Sequence, residues 1–469
     1  MHRSNPNRQS PSVNAVEFPP NRWVVVLFWV VLLCALYREV SGQFTLFYIG
    51  NFNLTIAEPI IGMSTWVLLR HAGRKPRITL GSVLALCYAV LLLINLMRGM
   101  GGNRYDAIIT LRLNGGLAVI LALSAFIFPR ELWHPRVQRI VVIIGAILSA
   151  LVIVRVIMGP GFLMIGREEL DPSNINDGGR PLSAQGTIVL AMALVTVLAN
   201  FMLPHNRGGG RPIQLFASLG MMLTVVLTKQ ATATIACFAA CAALIALMPG
   251  RSRSLRMIAC GTAAAVALFS IYVLPEVVSI ETINSYLPSG MAFDVAKREA
   301  TFEFRNEIWS GLMADRETWP WLSQVIGLPA GVKPYIWIHY WGGTQWELGL
   351  HSMYYGILPV AGIVGLAFYC GLLAYAAWTC LIGSLKGTPE YSPSAPIGLS
   401  LAIIAFIFSV SYDMRNENGL MLLLALAGGA PVVARYTARR PMAARRGAFD
   451  SPGGFEPRAP ATHTPSRRS

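Results

Sequence analysis

Charge is what this sequence has least of. Only 13% of its 469 residues are Asp, Glu, Lys or Arg, where a soluble globular domain carries about 25%. Cysteine is sparse too, and the seven present have neither metal-ligand nor disulfide spacing. Cys34, Cys87, Cys237, Cys241, Cys260, Cys370 and Cys380 all fall in apolar runs. Cys237 and Cys241 stand one helical turn apart, as small packing residues do. No internal repeat is visible. These shortages argue against a soluble domain, a disulfide scaffold and a cysteine metal centre.

What is present is apolar. Hydrophobic residues make up 54% of the chain, and the mean hydropathy is +0.53. The apolar stretches are continuous rather than alternating, so they predict membrane-spanning helices and not barrel strands. In lipid each span must satisfy its own backbone hydrogen bonds, which a helix does. The expected fold is therefore an all-α, polytopic transmembrane bundle of about twelve spans. They fall near 23–40, 44–69, 78–97, 107–128, 140–158, 186–204, 213–228, 231–248, 257–274, 353–383, 396–411 and 419–434. The second is the weakest, because Asn51, Asn53 and Glu58 interrupt it. The first run, Trp23 to Tyr37, follows basic residues and could be a signal peptide cut after Gly42; with further spans behind it, an uncleaved helix is preferred.

The formal net charge of +15 invites a nucleic-acid reading, but its distribution points elsewhere. Basic residues cluster in Arg70–Arg77, Pro129–Arg139, His205–Pro212, Pro249–Arg256 and the tail after Val433. With the N-terminus and Lys386, these segments hold about 24 of the 38 Lys and Arg, as cytoplasmic loops do. Loop charge and an even number of spans agree on two cytoplasmic termini. The organisation expected is a disordered cytoplasmic N-terminus (1–22), nine spans (23–274), a large periplasmic loop (275–350), three spans (351–434) and a basic, disordered cytoplasmic tail (435–469).

The large loop is the place to look for chemistry. It contains Trp309, Trp319, Trp321, Trp337, Trp341 and Trp346, and it alternates helix-like stretches with Gly/Pro breaks. Read as a helix, Phe302–Leu312 carries Phe302, Phe304, Ile308, Trp309 and Leu312 mostly on one face, with Arg305 one turn from Phe302 and Trp309. That pattern fits an amphipathic helix on the membrane surface. The Trp residues fit sugar stacking or the membrane interface, and the interface accounts for at least half. His351 sits where the loop re-enters the membrane, and a histidine can take a proton near neutral pH. Within spans, Arg155 lies close to an end and fits snorkelling, while Arg112 and Glu58 lie deeper and receive no catalytic role.

In order along the chain come Arg305, Trp309 four residues on, Pro329 and Gly331 in a turn, and His351 opening a span with Tyr354 or Tyr355, Gly362 and Gly365. This succession resembles the O-antigen ligase and polymerase superfamily. Upstream, Leu227-Thr-Lys-Gln-Ala-Thr-Ala-Thr-Ile235 resembles that family's Ser-Arg-Gly stretch at the start of a span, with Lys229 where the family usually has Arg. Asp177-Gly-Gly-Arg-Pro-Leu-Ser183 resembles its polar segment before another span. Two departures stand out: Ser352 follows His351 where the family usually has Asn, and Lys229 lacks the guanidinium fork.

The resemblance implies an all-helical membrane glycosyltransferase of the bacterial inner membrane, acting on its periplasmic side. Its donor would be an oligosaccharide on undecaprenyl diphosphate and its acceptor a glycan or glycolipid hydroxyl, with membrane lipids as the other partner. Neither nucleic acid, nor metal, nor cofactor is implied. The diphosphate gains charge as it leaves, so fixed cations favour its departure; Arg305, Lys229 and Arg180 are the candidates. His351 would take or position the acceptor proton, with Glu303, Glu307 and Glu347 as alternative bases. Polymerase, in the assembly of surface polysaccharide such as O-antigen, exopolysaccharide or capsule, is slightly favoured over ligase to the lipid A core. A polysaccharide-precursor transporter or flippase is the reading from another class, but it predicts repeat symmetry and paired broken helices, which the sequence does not display.

Overall fold

The computed structural model describes residues 22–41, 45–49, 52–55, 59, 62–63, 65–66, 80–102, 104–110, 135–159, 162–163, 181–202, 211–228, 230–247, 295–338, 342–345, 350, 352–386 and 394–412. Within them the chain is mostly helical. The helices are α1 (Arg22–Ser41), α2 (Leu80–Gly99), α3 (Pro135–Met158), α4 (Ala184–Met202), α5 (Arg211–Leu227), α6 (Ala231–Leu247), α7 (Val295–Thr318), α8 (Trp321–Ile326), α9 (Met353–Lys386) and α10 (Ser394–Ser411). Three described segments are long and apolar enough to cross a membrane: Gln138–Met158, Ala184–Met202 and Met353–Leu385. Val83–Gly99, Pro212–Leu227, Thr232–Leu247 and Ala395–Ser411 are shorter apolar helices.

Eight of the expected spans thus correspond to helices, each within a few residues of its expected limits. The expected span at 44–69 does not. Strands β1 (Thr45–Ile49) and β2 (Phe52–Thr55) pair there as an antiparallel hairpin, with Ile49 opposite Phe52. The reason is local. Gly50-Asn51 separates two β-branched and aromatic runs, the composition of a two-residue hairpin connection. Of the expected span at 107–128, only the helical start at 104–110 is described. The expected spans at 257–274 and 419–434 lie outside the described residues.

The bundle packs around one continuous core. α10 lies between α6 and α9, α2 lies along α9, and α4 packs on α3, α5 and α6. α4 is the central helix, buried over nearly its whole length from Gln185 to Ala199. The buried cysteines Cys237 and Cys241 lie in this core as packing residues.

The described part of the large loop is built differently. α7 runs well beyond the expected 302–312 in both directions. Its apolar face does not lie open. Ile308 and Leu312 are fully buried and share a small core with Trp319, Leu328, Ile336 and Leu350, against which Phe304, Trp309 and Tyr355 pack. The anchor expected to rest on a membrane surface is therefore turned onto its own protein. Beyond α8, strands β3 (Tyr335–Ile338) and β4 (Gly342–Gln345) form a second antiparallel hairpin that packs on α7 through β3.

Candidate functional site

One end of the bundle gathers polar groups that the apolar helices otherwise exclude. α1, α3, α5 and α10 finish there, and α4, α6 and α9 begin there, as the contacts between their ends require. Three buried clusters occupy this end.

The first joins α1, α3 and α4. Arg155, near the end of α3, is only 1% exposed. Its guanidinium donates to the carbonyls of Phe162 (3.0 Å), Pro181 (2.8 Å) and Glu39 (2.5 Å). It also stands 3.5 Å from the Glu39 carboxylate, itself buried. Arg155 therefore does not snorkel: three carbonyls and a carboxylate draw it inward, because a buried guanidinium needs each donor occupied. Glu39 in turn accepts from the Ser183 amide (3.1 Å) and the Ser183 hydroxyl. Ser183 caps α4, its Oγ accepting from the Gly186 amide at 3.2 Å. A Cβ on Gly186 would stand 2.5 Å from a Glu39 carboxylate oxygen, so a side chain here would require that carboxylate to shift. Arg38 adds a 3.1 Å bond to Gln185 Oε1.

The second cluster centres on Gln230, between α5 and α6. Its Nε2 donates to the Leu182 carbonyl (3.0 Å) and to Thr187 Oγ1 (2.9 Å), and its Oε1 accepts from the Tyr412 hydroxyl (3.3 Å). Tyr412 follows α10, and the Arg305 guanidinium of α7 lies over its ring at 5.9 Å. Thr232 and Ser411 bond at 2.9 Å, closing α6 onto α10. Just ahead of α9, Ser352 donates to the Ser409 carbonyl at 3.2 Å. Trp309 stacks on Tyr355 at 4.9 Å, with an interplanar angle of 9°. The Trp309 Nε1 donates to the Leu350 carbonyl at 2.8 Å.

The third cluster seats the loop in the bundle. α9 contains Pro359 and is broken at Gly362, whose φ of 63° and ψ of −165° are not helical. Asn95 Nδ2 donates to the Ile326 (2.5 Å) and Val360 (2.8 Å) carbonyls. Arg98 donates to Asn95 Oδ1 (2.6 Å), the Gly327 carbonyl (2.7 Å) and Ser323 Oγ (2.9 Å). The amides of Leu328 and Ala330 bond the Pro359 (2.7 Å) and Asn95 (2.9 Å) carbonyls. The Gly331 amide bonds Thr110 Oγ1 at 3.1 Å. Backbone meets backbone at the centre: a Cβ on Gly327 (φ +96°) would lie 2.6 Å from the Ala361 nitrogen, and one on Gly362 would collide with the Val325 carbonyl. Both positions need glycine on conformational and steric grounds.

Of the four expected site residues, the structure describes Arg305, half-buried on α7. Lys229, Arg180 and His351 lie outside the described residues, as do Arg112, Glu58 and Glu347. Their immediate sequence neighbours are informative. Gln230 follows Lys229, Pro181 and Leu182 follow Arg180, and Leu350 and Ser352 flank His351. Gln230 bonds Leu182 directly and reaches Arg305 through Tyr412, while Leu350 is bonded by Trp309, one turn along α7 from Arg305. The segments singled out from sequence are therefore joined by described contacts.

Sequence reasoning missed Glu39, Asn95, Arg98, Gln230 and Tyr412. The available signal was a polar side chain within or at the edge of an apolar run, a costly placement in lipid and by default a functional one. Among the described residues, no group of three His, Cys, Asp or Glu is placed to hold a metal ion. No protein-family model matches this chain, and no curated protein matches it.

Proposed function

We propose that the chain is an all-helical glycosyltransferase of about twelve spans in a bacterial inner membrane, with both termini cytoplasmic. It takes an oligosaccharide from undecaprenyl diphosphate and transfers it, as a polymerase of surface polysaccharide, to an acceptor sugar hydroxyl on the periplasmic side. The observation that carries this reading is the junction at Gln230 and Tyr412. There the guanidinium of Arg305 lies over Tyr412, which bonds Gln230 beside Lys229, and Gln230 bonds Leu182 two residues from Arg180, at one end of an apolar bundle.

In this reading Arg305, Lys229 and Arg180 bind the donor diphosphate and offset the charge it gains on departure. The bond from the anomeric carbon to the diphosphate oxygen breaks, and the acceptor oxygen forms the new one. His351 accepts the hydroxyl proton or holds the hydroxyl in line. The break in α9 is a feature that transporters place at a substrate site. Here the backbone of residues 325–328 fills it, which counts against transport.

The test replaces Arg305 or His351 by Ala in the native host, confirms insertion, and resolves the surface glycan on gels. Removing one charge-stabilising donor is expected to lower product about 100-fold or more. Wild-type chain length and yield in both variants would eliminate the assignment.

A further inference from the structure

Gln230 stands out because it spends a polar side chain in an apolar bundle. It is 2% exposed. A buried amide is costly unless its donors and acceptor are paired, and here both kinds of atom are engaged. Each arm reaches a different element. Nε2 donates to the Leu182 carbonyl ahead of α4 and to Thr187 within it, and Oε1 accepts from Tyr412 beyond α10.

Helix geometry alone does not require this side chain. The start of α6 is served by the Gln230 backbone, whose carbonyl accepts the Thr234 amide at 3.0 Å. What the side chain adds is registry. Leu182 is two residues from Arg180, Gln230 is next to Lys229, and Tyr412 carries Arg305 over its ring. A buried polar group with several fixed partners is suited to setting register where an apolar residue would allow sliding.

We propose that Gln230 is a positioning residue, whose amide ties the start of α6 to the segments ahead of α4 and beyond α10 and so fixes Tyr412 under the Arg305 guanidinium for binding of a diphosphate group. Thr187 and Tyr412 are its working partners. The proposal rests on the lipid-diphosphate reading above and adds the residue that would hold Arg305 in place for it, through Tyr412.

The experiment measures binding of undecaprenyl diphosphate to the full-length protein in lipid nanodiscs, with inorganic diphosphate as the headgroup-only probe. Thermal melting is followed in parallel. Thr187→Val and Tyr412→Phe each remove one arm and should weaken binding about fivefold, the worth of one buried hydrogen bond. Gln230→Leu should weaken it about tenfold or more, since it removes all the arms. Thr187→Ser keeps the hydroxyl and should bind as wild type does. A merely structural role would move the melting temperature and leave affinity alone.

If Gln230→Leu fails to fold, Thr187→Val and Tyr412→Phe decide, and wild-type affinity in both overturns the proposal. Wild-type affinity in a folded Gln230→Leu protein, alongside lost binding in Arg305→Ala, overturns it while leaving the diphosphate reading intact. No binding by the wild-type protein removes that reading and this proposal together. Binding of undecaprenyl diphosphate but not of inorganic diphosphate assigns the site to the lipid-linked form.

Discussion

Replacing Arg155 by Met tests whether the cluster at the ends of α1, α3 and α4 holds the bundle together. Methionine keeps most of the length and loses the guanidinium. Three carbonyls, of Phe162, Pro181 and Glu39, then lose their donor. At ~0.6 kcal/mol per buried bond in a membrane-embedded bundle, that removes roughly 2 kcal/mol. The Glu39 carboxylate, 3.5 Å from the guanidinium, also loses its opposite charge. Stranding one partner of a buried pair brings the total to about 3–5 kcal/mol. Adding Glu39→Gln removes the stranded charge, so the double variant should recover roughly half of the loss. Equilibrium unfolding in mixed detergent micelles reads both quantities. The reasoning is refuted if Arg155→Met lies within about 1 kcal/mol of wild type, or if the two single losses simply add in the double variant.

Gly362→Ala should cost more than about 2 kcal/mol in the same assay, because the residue sits at positive φ and its new methyl group meets the Val325 carbonyl; an unchanged midpoint would show that the contact yields easily. Asn95→Leu removes the donors to Ile326 and Val360, and the amides of Leu328 and Ala330 should exchange hydrogen about tenfold faster. Trp309→Phe keeps the stack on Tyr355 but drops the bond to Leu350, for a loss of about 1 kcal/mol. Trp309→Ala loses both, for about 3–5 kcal/mol by thermal unfolding.

The apolar helices were readable because a continuous run in lipid admits one backbone solution, and α9 and α10 come within a few residues of their expected limits. The hairpin at 45–55 was not, because its aromatic and β-branched residues raise hydropathy as a span does. Asn51, Asn53 and Glu58 weaken the span reading, and Gly50-Asn51 is the local signal for a hairpin. Hydropathy also says nothing about direction. Arg155 near a helix end reads the same whether it reaches for water or for three carbonyls. Arg305 and Trp309 were legible as a pair by their spacing, but their partners Tyr412 and Leu350 are distant in sequence. Gln230 was hidden for the same reason: its importance lies in contacts to Leu182, Thr187 and Tyr412, which no local pattern encodes.

The seat of Gly327 against Gly362 has a mechanical consequence. Its touching surfaces are peptide backbone on both sides, so a side chain added at either glycine would unseat both, while the Asn95 and Arg98 side chains fasten it from outside. Eight hydrogen bonds surround the joint, from Asn95, Arg98, Leu328, Ala330 and Gly331. The described part of the loop is therefore pinned to the bundle at residues 326–331.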